Sequence, residues 1–209
     1  MKKNNSQKTQ RLVLFSIFAA ILVVMSATPL GYLRIGALAI SFLTIPVTIG
    51  AVLLGPISGA TLGLLFGLTS FFQCFGFLFW PIDPLGSALF AINPIYMTIV
   101  CIVPRVLMGL LVGLIFKAIR KVDKTDTMSY AVASLSGSVL NTILFISTLL
   151  LFFYNTNEIQ AYVTQLNAKN VFVFAALFVG INAVFEALVA FIVSFPVTKA
   201  VARYSKRFA

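Results

Sequence analysis

Histidine is absent from the 209 residues, charged side chains make up only 10 %, and there are two cysteines and one tryptophan. Each shortage removes a class of function. Without histidine there is no H-E-x-x-H zinc site and no serine–histidine dyad, which excludes the intramembrane proteases built on them. No G-x-x-x-x-G-K-[ST] loop occurs, so the chain carries no phosphate cradle for hydrolysing ATP. An enzyme is not expected, and nothing in the residues asks for a cofactor or a metal. A soluble domain covers its surface with about a quarter charged residues, far more than are present here. Cys74 and Cys101 lie in or beside apolar segments and read as small buried hydrophobes rather than as a disulfide.

What is abundant is apolar: 60 % of the residues are hydrophobic and 13 % aromatic. A membrane span takes about 20 apolar residues at ~1.5 Å each, so this length holds five to seven spans and no further domain. The apolar runs predict six helices, over about 12–30, 40–54, 57–72, 95–118, 128–153 and 171–197, with an outer loop at 73–94. Leu12 to Leu30 starts as a signal peptide would, but its core is long and Ser26-Ala27-Thr28 is a poor cleavage site, so it reads as a retained helix. Pro46 interrupts the second span, and Gly55-Pro56 makes the tight turn into the third. The expected fold class is an all-α bundle of six transmembrane helices in one integral-membrane domain covering 1–209.

The net charge of +10 is not spread as a nucleic-acid-binding surface would be. Four basic residues precede the first span, four lie near 117–124 and four follow the last span. Only Arg34 and Lys169 fall on the other side, and Arg105 is left inside the membrane. With six spans this asymmetry places both termini in the cytoplasm, because loops rich in Lys and Arg stay there.

Small residues recur at a spacing of four. Gly55, Gly59, Gly63 and Gly67 run into the third helix, Gly109 and Gly113 mark the fourth, and Ser16 and Ala20 form a weaker stripe in the first. Such stripes let helices approach closely, either within the bundle or against another membrane protein. Polar residues at depth carry more chemistry. Arg105 lies about ten residues into its span and Glu186 about fifteen into its own, where an unpaired charge costs several kcal/mol. Asn182 precedes Glu186 by one turn, and Asn141 sits mid-span. Together these predict a polar pocket open to the outside, or an Arg105–Glu186 ion pair that staples two helices. The 73–94 segment adds Phe75, Phe77, Phe79, Trp80 and Phe90 near prolines, either an interfacial belt or a lid over a ligand.

The order of these residues is similar to a known family. The run from Ile45-Pro46-Val47-Thr48 through Gly55-Pro56, Gly59, Gly63 and Gly67-Leu68-Thr69-Ser70 is followed by Asn93-Pro94 and Pro104-Arg105-Val106-Leu107. Asn141-Thr142-Ile143-Leu144 and Asn182-x-x-x-Glu186-Ala187 complete the order. The chain resembles the substrate-binding S components of energy-coupling factor (ECF) vitamin transporters, and most of all their pantothenate-binding branch. The resemblance implies a subunit of the bacterial plasma membrane that binds a vitamin from outside. It also implies partners, one transmembrane coupling protein and two ABC ATPases. In the family an Ala-x-x-x-Ala pattern on the first helix makes the docking contact. Ser16-x-x-x-Ala20 is the nearest match here, so it matches only in part. Candidate ligand contacts are Arg105, Asn141, Asn182 and Glu186, joined by Asn93 and Trp80 from the outer segment. A precursor such as hydroxymethylpyrimidine, anchored by Glu186, is the rival ligand. A self-sufficient secondary transporter or channel is the rival class, although no inverted repeat of broken helices is evident.

Overall fold

The computed structural model describes residues 2–34, 39–77, 80–123 and 127–207. Phe79 and Lys124 lie outside them. The elements run α1 Lys2–Ser26, a hairpin of β1 Tyr32–Arg34 and β2 Ala39–Ser41, α2 Thr44–Leu54 and α3 Pro56–Gln73. They continue through α4 Pro84–Ile92, α5 Pro94–Arg120, α6 Met128–Phe153, α7 Asn157–Gln165 and α8 Val171–Arg207. Four of the helical stretches are long and apolar enough to cross a membrane: Lys8–Ser26, Pro94–Arg120, Met128–Phe153 and Asn182–Ala202. Their outer faces carry large exposed apolar side chains such as Ile17, Val103, Ile143 and Leu188, as lipid contact requires. The chain is a multi-pass, all-α membrane protein.

Several boundaries differ from the apolar pattern, each for a local reason. The first helix stops at Ser26, because the residue before Pro29 is pushed out of the helical region, and Thr28 Oγ1 donates instead to the Met25 carbonyl at 3.1 Å. The second helix does not begin at Ile40. Residues 39–41 pair antiparallel with 32–34, Tyr32 opposite Ser41, and the helix starts at Thr44. Pro46 therefore interrupts nothing. It occupies the first turn of α2, where a missing N–H breaks no helical bond. The outer segment 73–94 is not all loop: Pro84 opens α4, and the Asp83 carboxylate accepts the Gly86 N–H at 3.2 Å as its cap. Polar residues after α6 likewise form α7, anchored by the fully buried Ile159.

The glycine stripe is consumed inside the bundle. A Cβ at Gly59 would strike the carbonyl of Gly109, one at Gly63 the carbonyl of Arg105, and one at Gly67 the carbonyl of Cys101. α3 thus lies backbone to backbone on α5, and only glycine permits that approach. Gly55, with φ of 102°, makes the turn that returns α2 into α3. The stripe on α1 behaves differently. Phe18 and Leu22 are buried against the bundle, whereas Ser16, Ala20 and Val24 face outward.

Two apolar clusters fill the interior. One takes Met108 and Val112 of α5 with Tyr130 and Ala133 of α6. The other takes Met97, Val100 and Cys101 of α5 with Ile146, Leu149 and Phe153 of α6. Arg105 and Asn141 fall in the gap between the two clusters on their respective helices. The close α3–α5 contact sets where Arg105 stands, so a Gly63→Val substitution is expected to cost about 3 kcal/mol or more, because the struck atom is backbone and does not yield. Melting in detergent or nanodiscs checks this against Gly180→Ala, where nothing lies within 4 Å and no loss is expected. An unchanged melting temperature in Gly63→Val would contradict the packing described.

Candidate functional site

Between the two clusters lies a cavity of about 780 Å³ including its open mouth. The C-terminal turn of α3, the N-cap of α4 and the start of α5 contribute to its wall, through Ser70, Gln73, Asp83 and Met97. The cavity therefore lies in the half of the bundle away from Lys117, Arg120 and Lys121, which close α5.

Arg105 owes its position to the residue before it. Pro104 has no N–H, so the Val100 carbonyl one turn earlier loses its helical donor. The Arg105 guanidinium supplies the replacement, Nη1 donating to Val100 O at 2.6 Å. The guanidinium carbon lies 4.5 Å from the centroid of the Phe145 ring and 5.4 Å from that of Phe66. These faces offer a desolvated cation some compensation. Its Nε is buried and has no hydrogen-bond partner among the described residues. An arginine at 7 % exposure with an idle donor is costly unless something else meets it.

Glu186 is equally buried, at 5 % exposure. Its Oε2 accepts from the backbone N–H of Ser41 and its Oε1 from Asn141 Nδ2, both at 3.4 Å. Those contacts are longer than a well-made charged hydrogen bond. Asn141 Oδ1 and Ser41 Oγ are buried and, among the described residues, without hydrogen-bond partners. Asn182 lines the same wall one turn before Glu186. Among the described residues no hydrogen bond or ion pair joins Arg105 to Glu186. The arrangement is a cavity presenting an idle guanidinium donor, an amide oxygen, a hydroxyl and a weakly engaged carboxylate.

Four of the six expected ligand contacts, Arg105, Asn141, Asn182 and Glu186, therefore line one cavity, while Asn93 and Trp80 do not. Asn93 is the N-cap of α5, its Oδ1 accepting from Ile95 N and Tyr96 N at 3.1 Å. Trp80 is buried, its Nε1 donating to Ser26 Oγ at 2.9 Å, and it packs on Phe72 at 5.2 Å between centroids. It fastens the outer segment to the end of α1. Phe75 and Phe90 join Phe71 in an aromatic group beside it. Sequence reading missed other wall residues. Ser41 and Tyr32 come from the hairpin, where Tyr32 Oη meets Ser70 Oγ at 2.9 Å. Gln73 stands at the last turn of α3, and its Nε2 donates to Ser26 O at 3.5 Å. Asp83 carried a signal in its Asp-Pro dipeptide, which marks a helix start but not the wall of a cavity.

A family model described as "ECF transporter, substrate-specific component" matches residues 10–198. The pantothenic acid transporter PanT of Lactococcus lactis subsp. cremoris is 29 % identical over 164 residues, 75 % of this chain and 79 % of that protein. The pantothenate transporter PanT of Leuconostoc mesenteroides subsp. mesenteroides is 32 % identical over 118 residues, 54 % of this chain and 53 % of that protein. The family match spans nearly the whole chain and covers every element of the cavity wall, so this protein belongs to the substrate-specific components of ECF transporters.

Proposed function

We propose that the protein binds pantothenate in the Arg105 cavity and passes it inward as the substrate-binding subunit of an ATP-driven importer. The observation that carries this reading is the buried Arg105 guanidinium, which keeps an unused donor and forms no ion pair with Glu186. A ligand carboxylate supplies the missing acceptor in a charge-assisted contact. Asn141, Asn182 and Glu186 then suit the ligand's hydroxyls and amide. The names of the two relatives support pantothenate as the carboxylate in question.

Calorimetry with a panel of water-soluble vitamins on the purified chain tests the ligand. Pantothenate is expected to bind most tightly. Binding of hydroxymethylpyrimidine or another thiamine precursor without pantothenate would overturn the assignment and make Glu186 the anchor. Arg105→Lys is expected to weaken pantothenate about tenfold or more, because a point charge does not reproduce the planar fork of donors. The same variant should hold its melting temperature without ligand if Arg105 serves binding, and lose it if Arg105 serves only to staple helices.

The topology and the partners follow the same line of support. α2 has eleven residues and spans about 16 Å, roughly half a bilayer core, and α3 returns beside it. We infer that α3 and the stretch 39–54, in which β2 leads into α2, complete six spans in the bacterial plasma membrane, with both termini on the cytoplasmic side where the basic clusters lie. The sequence holds no G-x-x-x-x-G-K-[ST] loop, and we assign the energy for transport against a gradient to a coupling protein and two ABC ATPases. The outward stripe of Ser16, Ala20 and Val24 is a face α1 leaves for the coupling protein. Ala20→Trp is expected to abolish ATP-dependent uptake by the assembled transporter while leaving vitamin binding to the isolated chain intact. Uptake that survives this substitution would remove α1 from the docking face. Uptake by proteoliposomes containing this chain alone would favour a self-sufficient carrier instead.

A further inference from the structure

Two groups in the cavity wall have no part in this ligand reading. Cys74 and Cys101 are both free, both 2 % exposed, and their sulfurs lie 3.8 Å apart. Cys74 caps the C-terminus of α3, and Cys101 stands two turns into α5, so the pair bridges the two most tightly packed helices of the bundle. Both line the cavity, whose mouth is open. Arg105 follows Cys101 by one turn on the same face of α5, which sets a fixed positive charge beside the pair, the setting in which oxidisable thiols are found.

We propose that Cys74 and Cys101 form a modification site, an oxidisable dithiol that closes to a disulfide under a peroxide and thereby closes down the ligand cavity. One thiolate attacks a peroxide oxygen and the O–O bond breaks, leaving a sulfenic acid and hydroxide. The second thiol then attacks that sulfur, the S–S bond forms, and the oxygen leaves as water. Two thiols and one peroxide give one disulfide and two waters, the thiols losing two electrons and two protons.

The chain around Cys74 permits the closure. A disulfide needs the sulfurs to approach by ~1.8 Å. On the α5 side the backbone has little room, because Gly67 packs onto the Cys101 carbonyl. On the α3 side the helix ends at Cys74, and the turn that follows contains Gly76 with φ of 66°. The movement therefore falls on the end of α3. Ser70 and Gln73 stand on that same end and line the cavity, so drawing Cys74 onto α5 shifts the wall at the ligand site. Among the described residues the polar contacts of Cys74 Sγ are the Ser70 carbonyl, at 3.6 Å, and Cys101, and the sulfur otherwise packs in the apolar cluster. Neither polar contact is a strong hydrogen bond, and the one to Cys101 shortens as the disulfide closes.

The consequence for affinity rests on the proposed ligand site, whereas the cross-link does not. The full chain in nanodiscs is treated with hydrogen peroxide and compared with untreated protein. Intact mass is expected to fall by two hydrogen atoms, with the peptides holding Cys74 and Cys101 joined and dithiothreitol restoring both thiols. Pantothenate affinity is expected to fall at least tenfold on oxidation and to recover on reduction. In Cys74→Ser and Cys101→Ser, whatever affinity each shows beforehand should be unchanged by peroxide. Two free thiols after treatment, or a gain of oxygen without loss of hydrogen, would overturn the dithiol. A cross-link with unchanged affinity would overturn the closing of the cavity. If the reduced chain binds no pantothenate, the ligand reading fails. The mass and a melting temperature that rises on oxidation then judge the cross-link by themselves.

Discussion

The structure turns on a buried cation that its own helix holds but does not neutralise. Pro104 frees a carbonyl, Arg105 bends back to take it, and the aromatic faces of Phe66 and Phe145 shelter the guanidinium. This arrangement is possible only because α3 approaches α5 through glycines, which brings Phe66 and the carbonyl of Arg105 within reach of each other's helices. Inside a bilayer a charged group at depth faces the bundle interior and finds a partner or a water-filled cavity. Arg105 finds a cavity, and the two apolar clusters above and below it isolate that cavity from the rest of the core.

The hairpin between α1 and α2 completes the site in a way that helices do not. An open backbone N–H at membrane depth is costly unless it is buried in protein or turned to a cavity. The Ser41 N–H is turned to Glu186, and Tyr32 ties the paired strand to Ser70. One irregular segment thus positions the carboxylate on α8 and closes the wall against α3. Asp83, Trp80 and Gln73 fasten the outer segment and the end of α1 around the same opening.

Much of this was legible in the residues because the membrane simplifies the code. Long apolar runs located α5, α6 and α8 within a few residues at their starts, and intramembrane polar residues picked out Arg105, Asn141, Asn182 and Glu186 together. What was not legible were short elements whose form depends on partners. Ala39–Ser41 is apolar enough to pass for a helix start, and only its pairing with Tyr32–Arg34 makes it a strand. Asn93 and Trp80 looked exposed to a ligand because they sit among prolines and aromatics. Their hydrogen bonds go instead to a helix N-terminus and to Ser26, contacts that spacing alone does not encode. Glycine at every fourth position marks a surface of close approach, but periodicity does not say whether the approaching helix belongs to the same chain.

Whether Arg105 receives a ligand carboxylate is decided by one comparison. Calorimetric titration of the purified chain with pantothenate is set beside its alcohol analogue, in which a hydroxymethyl group replaces the carboxylate and the rest of the molecule is kept. Removing one partner of a buried charge-assisted contact costs about 1.5–3 kcal/mol, so the alcohol should bind roughly 10- to 150-fold more weakly. Equal affinity for the two would contradict the account, because the guanidinium would then contribute nothing to holding the ligand.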